Sequence, residues 1–282
     1  MKTESKILPD FLVIGAMKAG TTSLYRYLAA HPDIQLPADK ELDFFVTEKN
    51  FAKGPTWYSS HFARLPPSVR AGECSPNYSK HPMFAGVPDR IHALLPDVRL
   101  IYLVREPVER TLSHYYHNWL KGSETRSLVD ALALRSPENK YLAASCYWFQ
   151  LERFLEYFPE RQILVLRSED LQADRLAAVN RVYRFLGLEP AADSTALETE
   201  LHRSAERRRL NPLGRLLADS VLIRRIASGL PSGLARRLKS VLGSKVQTSA
   251  PPPGLRDDLR AFFQSDTQSL EAFANRDAPL WP

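Results

Sequence analysis

The stretch "FLVIGAMKAGTTSLYRYL", Phe11 to Leu28, decides the fold. "DFLVIG" (Asp10–Gly15) is a short apolar run closed by glycine, which predicts a buried strand. From Thr21 or Thr22, either hydroxyl serving as cap, a helix is predicted to about Ala30, stopped by "HPD". A strand feeding a helix through a glycine loop is the opening unit of a parallel α/β sheet. Gly15 and Gly20 have P-loop spacing, G-x-x-x-x-G, after which a nucleotide triphosphatase carries Lys and then Ser or Thr. Here Thr21 and Thr22 follow, and the lysine stands inside the loop as Lys18.

That displacement points to chemistry. Backbone N–H groups at a glycine turn and a helix N-terminus form an anion cradle, reinforced by the helix dipole. "GAMKAGTTS" adds three hydroxyls and one cation to those amides. The next strong strand ends in Arg105, where a Walker-B carboxylate for Mg²⁺ would be sought. The combination predicts a phosphate held without a metal, with Lys18 near the reacting end.

Further elements follow the same rhythm. "VRLIYLV" (Val98–Val104) is a strand, and "REPVERTLSHYYHNWL" after it a helix with Pro107 suited to its first turn. Tyr141–Phe158 has apolar residues at helical spacing. Gln162–Leu171 is a strand ending in polar residues, and Arg175–Leu188 an amphipathic helix closed by Gly187. This alternation predicts an α/β three-layer sandwich around a central parallel sheet, a P-loop-like nucleotide-binding fold.

The 282 residues, 44% hydrophobic and 25% charged, suit one domain with a sizeable core. A single domain over 1–282 is expected, with its core at about 8–190 and a basic, partly helical extension from about 191. Between Arg203 and Lys245 there are eleven Lys/Arg against two acids. Three readings of that extension stay open: a lid over an anionic ligand, a peripheral membrane contact presenting a lipid-linked acceptor, or a solvated packing helix. "SAPPPGL" then breaks the chain before a final helix from Leu255 to about Phe273. The net charge of +6 favours anionic partners. Without a recognised module, nucleic acid is not expected among them. Cys74 and Cys146 make no CxxC or Cys/His cluster, which argues against a disulfide scaffold or zinc site. With no signal-peptide core and no membrane-length apolar run, a cytoplasmic location is expected.

"PDFLVIGAMKAGTTSLYRYLAAHPDI" resembles the 5′-phosphosulfate loop of sulfotransferases that use PAPS (3′-phosphoadenosine 5′-phosphosulfate), in particular the heparan-sulfate and bacterial carbohydrate branch. The resemblance continues through "KELDFF", "WYSSHF", "GECSPNYS", "LIYLVREPVERTLSHYYH" and "YWFQLERFLEYFPERQILVLRSEDL", covering roughly residues 8–190 in order. It implies a sulfotransferase with PAPS as donor, PAP as product, no metal, and a hydroxyl acceptor on a carbohydrate, glycosylated or lipid-linked small molecule. The loop residues Lys18, Ala19, Gly20, Thr21, Thr22 and Ser23 then hold the 5′-phosphate, with Lys18 stabilising the leaving oxygen.

Arg105 and Ser113 carry an R-x7-S pattern, which in the family binds the 3′-phosphate. An arginine at a strand's C-terminal edge forks onto a phosphate, and a serine hydroxyl takes a further oxygen. A surface salt bridge from Arg105 to Glu106 or Glu109 is the plain alternative. Arg110 shares a helix face with Ser113. Tyr147 and, in the basic loop Gly243–Pro253, Lys245 complete the implied nucleotide contacts. Sulfuryl transfer to an alcohol also needs a base. Glu41 inherits that role from the family's "KE–(x)2–FF" motif, and its place before an apolar pair suggests partial burial and a raised pKa. Asp39 and Asp43 are rival carboxylates, and His114 and His117 are possible bases more simply read as surface or core groups.

The chain departs from the pattern twice. Asp43 stands where the glycan enzymes usually have His. Cys74 stands where several place a catalytic lysine in "E-K-T-P-x-Y", while Glu73, Ser75 and Tyr78 match. An ATP-dependent kinase and a non-catalytic docking protein on the same fold are the rival functions.

Overall fold

The computed structural model describes residues 8–62, 66, 68–190, 251–274 and 279–281, and the backbone of 208–210 and 243–245. Every residue of β1 (Phe11–Gly15) is buried, as the central strand of a sheet covered on both faces requires. β1 pairs in parallel with β3 (Arg70–Cys74) on one side and β4 (Arg99–Val104) on the other. With β2 (Ile34–Gln35) and β5 (Ile163–Arg167) outside these, the five parallel strands run β2-β3-β1-β4-β5. A separate antiparallel pair, β6 (Arg208–Leu210) and β7 (Gly243–Lys245), sets Arg208 opposite Lys245.

Among the described residues the helices are α1 (Thr21–Ala29), α2 (Gly54–Ser59), α3 (Val87–Leu94), α4 (Pro107–Lys121), α5 (Leu128–Ala131), α6 (Lys140–Ala143), α7 (Tyr147–Leu155), α8 (Ser168–Ala173), α9 (Arg175–Leu186) and α10 (Leu255–Phe273). Right-handed crossovers from β1 outward and from β3 across to β4 place their helices on opposite faces of the sheet. On one face α1 meets α9, where the Tyr183 hydroxyl donates to the Tyr27 carbonyl at 3.0 Å. On the other, α3 meets the end of the α7 segment, His92 edge-on to Phe158 at 5.4 Å. The result is the expected three-layer α/β sandwich. A second apolar cluster joins Val108 and Leu112 of α4 to Leu259 and Phe263 of α10. No helix among the described residues is long and apolar enough to cross a membrane.

Four local expectations change. α1 is capped by Gly20 in the left-handed conformation, with no side-chain cap from Thr21 or Thr22. The helical pattern of 141–158 breaks at residues 144–146 into α6 and α7. Asp266 of α10 supplies the cap there, accepting the Trp148 and Phe149 N–H groups at 3.0 and 2.8 Å. The strand expected at 162–171 stops at Arg167, because "SEDLQA" turns into α8 with Glu169 and Asp170 in its first turn. β3, "RAGEC", joins the centre of the sheet although it carries no apolar run. Of the basic extension, the side chains and most of the backbone lie outside the described residues.

Candidate functional site

The loop after β1 is shaped by close approach. A Cβ at residue 15 would sit 1.9 Å from the Ser79 Oγ and 3.0 Å from the Tyr102 ring, so only glycine fits. Gly20 adopts φ 101, a conformation natural to glycine alone. Within the loop, the Ala19 N–H donates to the Ala16 carbonyl and the Ser23 N–H to Gly20, at 3.0 and 2.9 Å. The N–H groups of Gly20, Thr21 and Thr22 are then the open donors of the helix start. Lys18 holds φ 72, an uncommon state for a side chain with a Cβ, and lines the cavity above the loop.

The exit of β4 brings Arg105 and Ser113 to the same cavity. Pro107 opens α4, and Glu106 caps it by accepting the Glu109 N–H at 2.6 Å. Arg105 precedes the helix, half-buried, with Glu109 at 3.8 Å, so the salt bridge considered from sequence exists. Arg256 of α10 also pairs with Glu109, and Arg105 still faces the cavity together with Ser113. Tyr147 is buried and does not line that cavity. Its hydroxyl donates to the Arg105 carbonyl at 2.7 Å and accepts the Arg105 N–H at 3.2 Å, so it fixes the backbone of the arginine. The side chain of Lys245 lies outside the described residues. Arg110 is fully buried, its Nη2 2.5 Å from His114 Nδ1.

The wall opposite is a network of side chains. Glu41 holds φ 67 and faces the cavity, yet its side chain is 46% exposed and 2.5 Å from Lys40 Nζ. The partial burial expected of it falls instead on its neighbour Asp43. Asp43 Oδ2 accepts from Lys49 Nζ and, at 2.8 Å, from Asn77 Nδ2, and the Asp43 N–H donates to Ser75 Oγ at 3.0 Å. Behind this wall lies Glu73, which takes hydroxyl hydrogen bonds from Tyr58 and Ser75 at 2.5 Å and Tyr78 at 2.8 Å. Burial pushes its carboxyl up to about 7 against those three lowering bonds. Phe44 stacks on Tyr58 at 4.3 Å, so this buried carboxyl anchors the segment that carries Glu41 and Asp43. Cys74 is buried too, its thiol pushed by burial up to about 12.

These elements meet over one open cavity of about 1480 Å³. Its lining comes from the exits of β1, β3, β4 and β5, around the point where the strand order reverses. Open α/β sheets bind their ligands at such a point. Lys18, Lys49, Lys80, Arg105, Lys121 and Arg175 line it against the single carboxylate of Glu41, counted among the described residues. His117 lines it as well, half-buried, its imidazole lowered to about 4 by burial and by Lys18, Lys121 and Lys80. At neutral pH it is therefore an uncharged base. His114 is a core group, edge-on to Tyr141 at 4.8 Å. Asn77, Lys80 and the β5-exit residues Ser168, Gln172 and Arg175 were not singled out from sequence. Asn77 follows directly on "ECSP" and Lys80 three residues later, whereas Ser168 and Gln172 lie on α8, most of which reads as strand, and Arg175 opens α9. No group of three or more His, Cys, Asp or Glu able to hold a metal occurs among the described residues.

The glycine loop at a helix start, Arg105 with Ser113 beyond a strand exit, and the Glu41 carboxylate thus share one cationic cavity of a parallel α/β sandwich. The family model of the sulfotransferase domain matches residues 8–217, and the chain belongs to that family. It is 30% identical over 207 residues to the bifunctional heparan sulfate N-deacetylase/N-sulfotransferase 2 of Homo sapiens, covering 67% of this chain and 23% of that protein. To the heparan sulfate glucosamine 3-O-sulfotransferase 5 of Mus musculus it is 32% identical over 193 residues, covering 65% of this chain and 54% of that protein. The chain thus spans less than two thirds of either relative. A solved sulfotransferase from Alicyclobacillus acidocaldarius shares 26% identity at a TM-score of 0.68, covering 98% of this chain and 99% of that one.

Proposed function

We propose that this chain transfers a sulfuryl group from PAPS to a hydroxyl of a carbohydrate or glycosylated small-molecule acceptor. The observation that carries this is the convergence of Lys18, Glu41, Arg105 and Ser113, picked out from sequence, on one cavity at the strand exits. The open amides of residues 20–22 suit the 5′-phosphate of the donor, and Arg105 with Ser113 its 3′-phosphate. Transfer is in line: a bond forms between the acceptor oxygen and sulfur while the bond from sulfur to the bridging phosphate oxygen breaks. The released electron pair stays on the phosphate oxygen, where Lys18 offsets the growing charge. The acceptor proton passes to Glu41, which the cavity exposes to an incoming hydroxyl.

A carbohydrate acceptor is supported by the two relatives, whose names place their chemistry on heparan sulfate. Asp43 and Cys74 replace the family's usual groups on the acceptor side, so the acceptor of this chain is expected to differ in detail. The test is a thermal-shift comparison of PAP with ATP and Mg²⁺, followed by PAPS turnover on a panel of glycan hydroxyls. Binding to the native state raises the midpoint by mass action. PAP is expected to raise it and PAPS to support turnover; a rise with ATP–Mg²⁺ and none with PAP would sink the reading in favour of a kinase.

A further inference from the structure

Lys80 is the feature of the cavity that the assigned roles leave unexplained. It follows β3 by six residues and is only 9% exposed, yet it lines the cavity with Lys18 and Glu41. Its ammonium donates to Asn77 Oδ1 at 2.6 Å and to Met17 Sδ at 2.9 Å. Both acceptors are neutral. Met17 directly precedes Lys18, so the two lysines reach the reacting end of the loop from two different strands. An ammonium carries three donor protons, and these two bonds leave the third for a ligand.

The charges around Lys80 make it a cation in need of an anion. Arg110, His114 and His117 face it from α4 and Lys49 from the neighbouring loop, while Asp43 and Glu41 supply the opposing carboxylates. Asp43 is already bound to Lys49 and Asn77, and Glu41 to Lys40. A buried charge without a close counter-ion is costly, so the site gains when an anionic group enters beside it. At position 74, where the resembling enzymes place a lysine, the buried Cys74 thiol instead points to the Thr21 carbonyl at 3.7 Å.

We propose that Lys80 is a second catalytic cation, which holds the sulfonate oxygens of the donor while they pass from phosphate to acceptor, in place of the lysine missing at position 74. This rests on the sulfotransferase reading above. Burial and the like charges of Arg110 and Lys49 lower Lys80 to about 8. It is thus charged at pH 7 and loses its proton just above.

The experiment pairs calorimetric PAP binding with PAPS turnover on desulfated heparan sulfate fragments, from pH 6.5 to 9.5, for wild type, Lys80→Met and Lys80→Arg. PAP carries no sulfuryl group. Lys80→Met is therefore expected to keep PAP affinity within about threefold while turnover falls at least 100-fold, the scale of losing one charge-stabilising donor. Lys80→Arg is expected to retain at least a tenth of turnover and to lose the decline above about pH 8, because a guanidinium stays charged. Lys80→Gln serves as the second neutral variant if Lys80→Met does not fold. Turnover within threefold of wild type in the neutral variants would overturn the proposal, as would a PAP affinity that falls in step with turnover. A wild type that binds no PAP would remove the parent reading and this proposal together, a result distinct from either.

Discussion

The two walls of the cavity are built by different means. The wall proposed for the donor is mostly backbone: Gly15 and Gly20 shape a loop whose residues line the cavity, and Arg105 stands on a strand–helix joint. The acceptor wall is mostly side chain. Asp43, Lys49, Asn77 and Lys80 form a chain of hydrogen bonds, standing on Glu73 and its three hydroxyls. A backbone cradle survives side-chain replacement, so mutations in the donor wall are expected to remove single functions. The acceptor wall is a connected network, in which deletions propagate.

The largest expected effect comes from Lys18→Ala. Charge on the leaving oxygen would lose its cation, and turnover is expected to fall on the order of 10³-fold, with PAP affinity, set by the amides and Arg105, changing by less than tenfold. Equal losses of both, measured by turnover and calorimetry, would break the contrast between the walls. Glu41→Gln comes next, with a loss on the order of 10²-fold in turnover and PAP affinity unchanged. His117→Ala is the control, since the imidazole is neutral at working pH and shares the cavity. A larger loss in His117→Ala than in Glu41→Gln would move the proton acceptor from the loop to α4.

Glu73 supplies a stability test of the acceptor wall's foundation. Its carboxyl is raised by burial from 4.5 to about 7. Over that interval the unfolded chain has released the proton and the folded one keeps it, so stability falls as pH rises from about 4.5 to 7 and levels off above. The shift corresponds to at most about 3 kcal/mol. Denaturant melts of wild type and Glu73→Gln across pH 4–8 are expected to converge at the acid end and separate toward pH 7, with the variant flat where wild type declines. A parallel decline in both would assign the effect elsewhere, for example to Asp266, which burial raises to about 6.

The donor wall was legible in the sequence and the acceptor wall only in part, for a physical reason. Strand–glycine–helix grammar and an arginine at a strand end are local, and the positions of Lys18, Arg105 and Ser113 follow from a few neighbouring residues. Glu41 could be named from its motif, but not its exposure, because a two-residue difference between Glu41 and Asp43 decides which carboxylate turns inward. Lys80 and Asn77 gain their place from Met17 and Asp43, more than thirty residues away in the chain. β3 was hidden because its burial comes from β1 and β2 on its flanks rather than from its own composition. Likewise α7 begins where Asp266, more than a hundred residues later, accepts its first N–H groups.

Smaller effects test how the donor wall is held. Arg105→Ala removes a forked charged donor, for which about 1.5–3 kcal/mol, or roughly 10–100-fold in PAP affinity, is expected. Ser113→Ala removes one neutral hydroxyl and is expected to cost about fivefold.

Tyr147→Phe is the finest of these probes. The resemblance implies a nucleotide contact for Tyr147, whereas its hydroxyl is engaged with both backbone groups of Arg105. Phenylalanine keeps the ring against Tyr102, at 5.8 Å, and Trp281, at 5.9 Å, so the fold is expected to persist with a loss of about 1 kcal/mol from the missing hydrogen bonds. If the hydroxyl acts only through Arg105, PAP affinity should fall a few-fold in Tyr147→Phe and no further in an Arg105→Ala background, the signature of one coupled unit in a double-mutant cycle. Additive losses would mean that Tyr147 reaches the nucleotide itself after a rearrangement on binding. The donor wall would then depend on a moving side chain, and the contrast with the acceptor wall would narrow to the loop after β1.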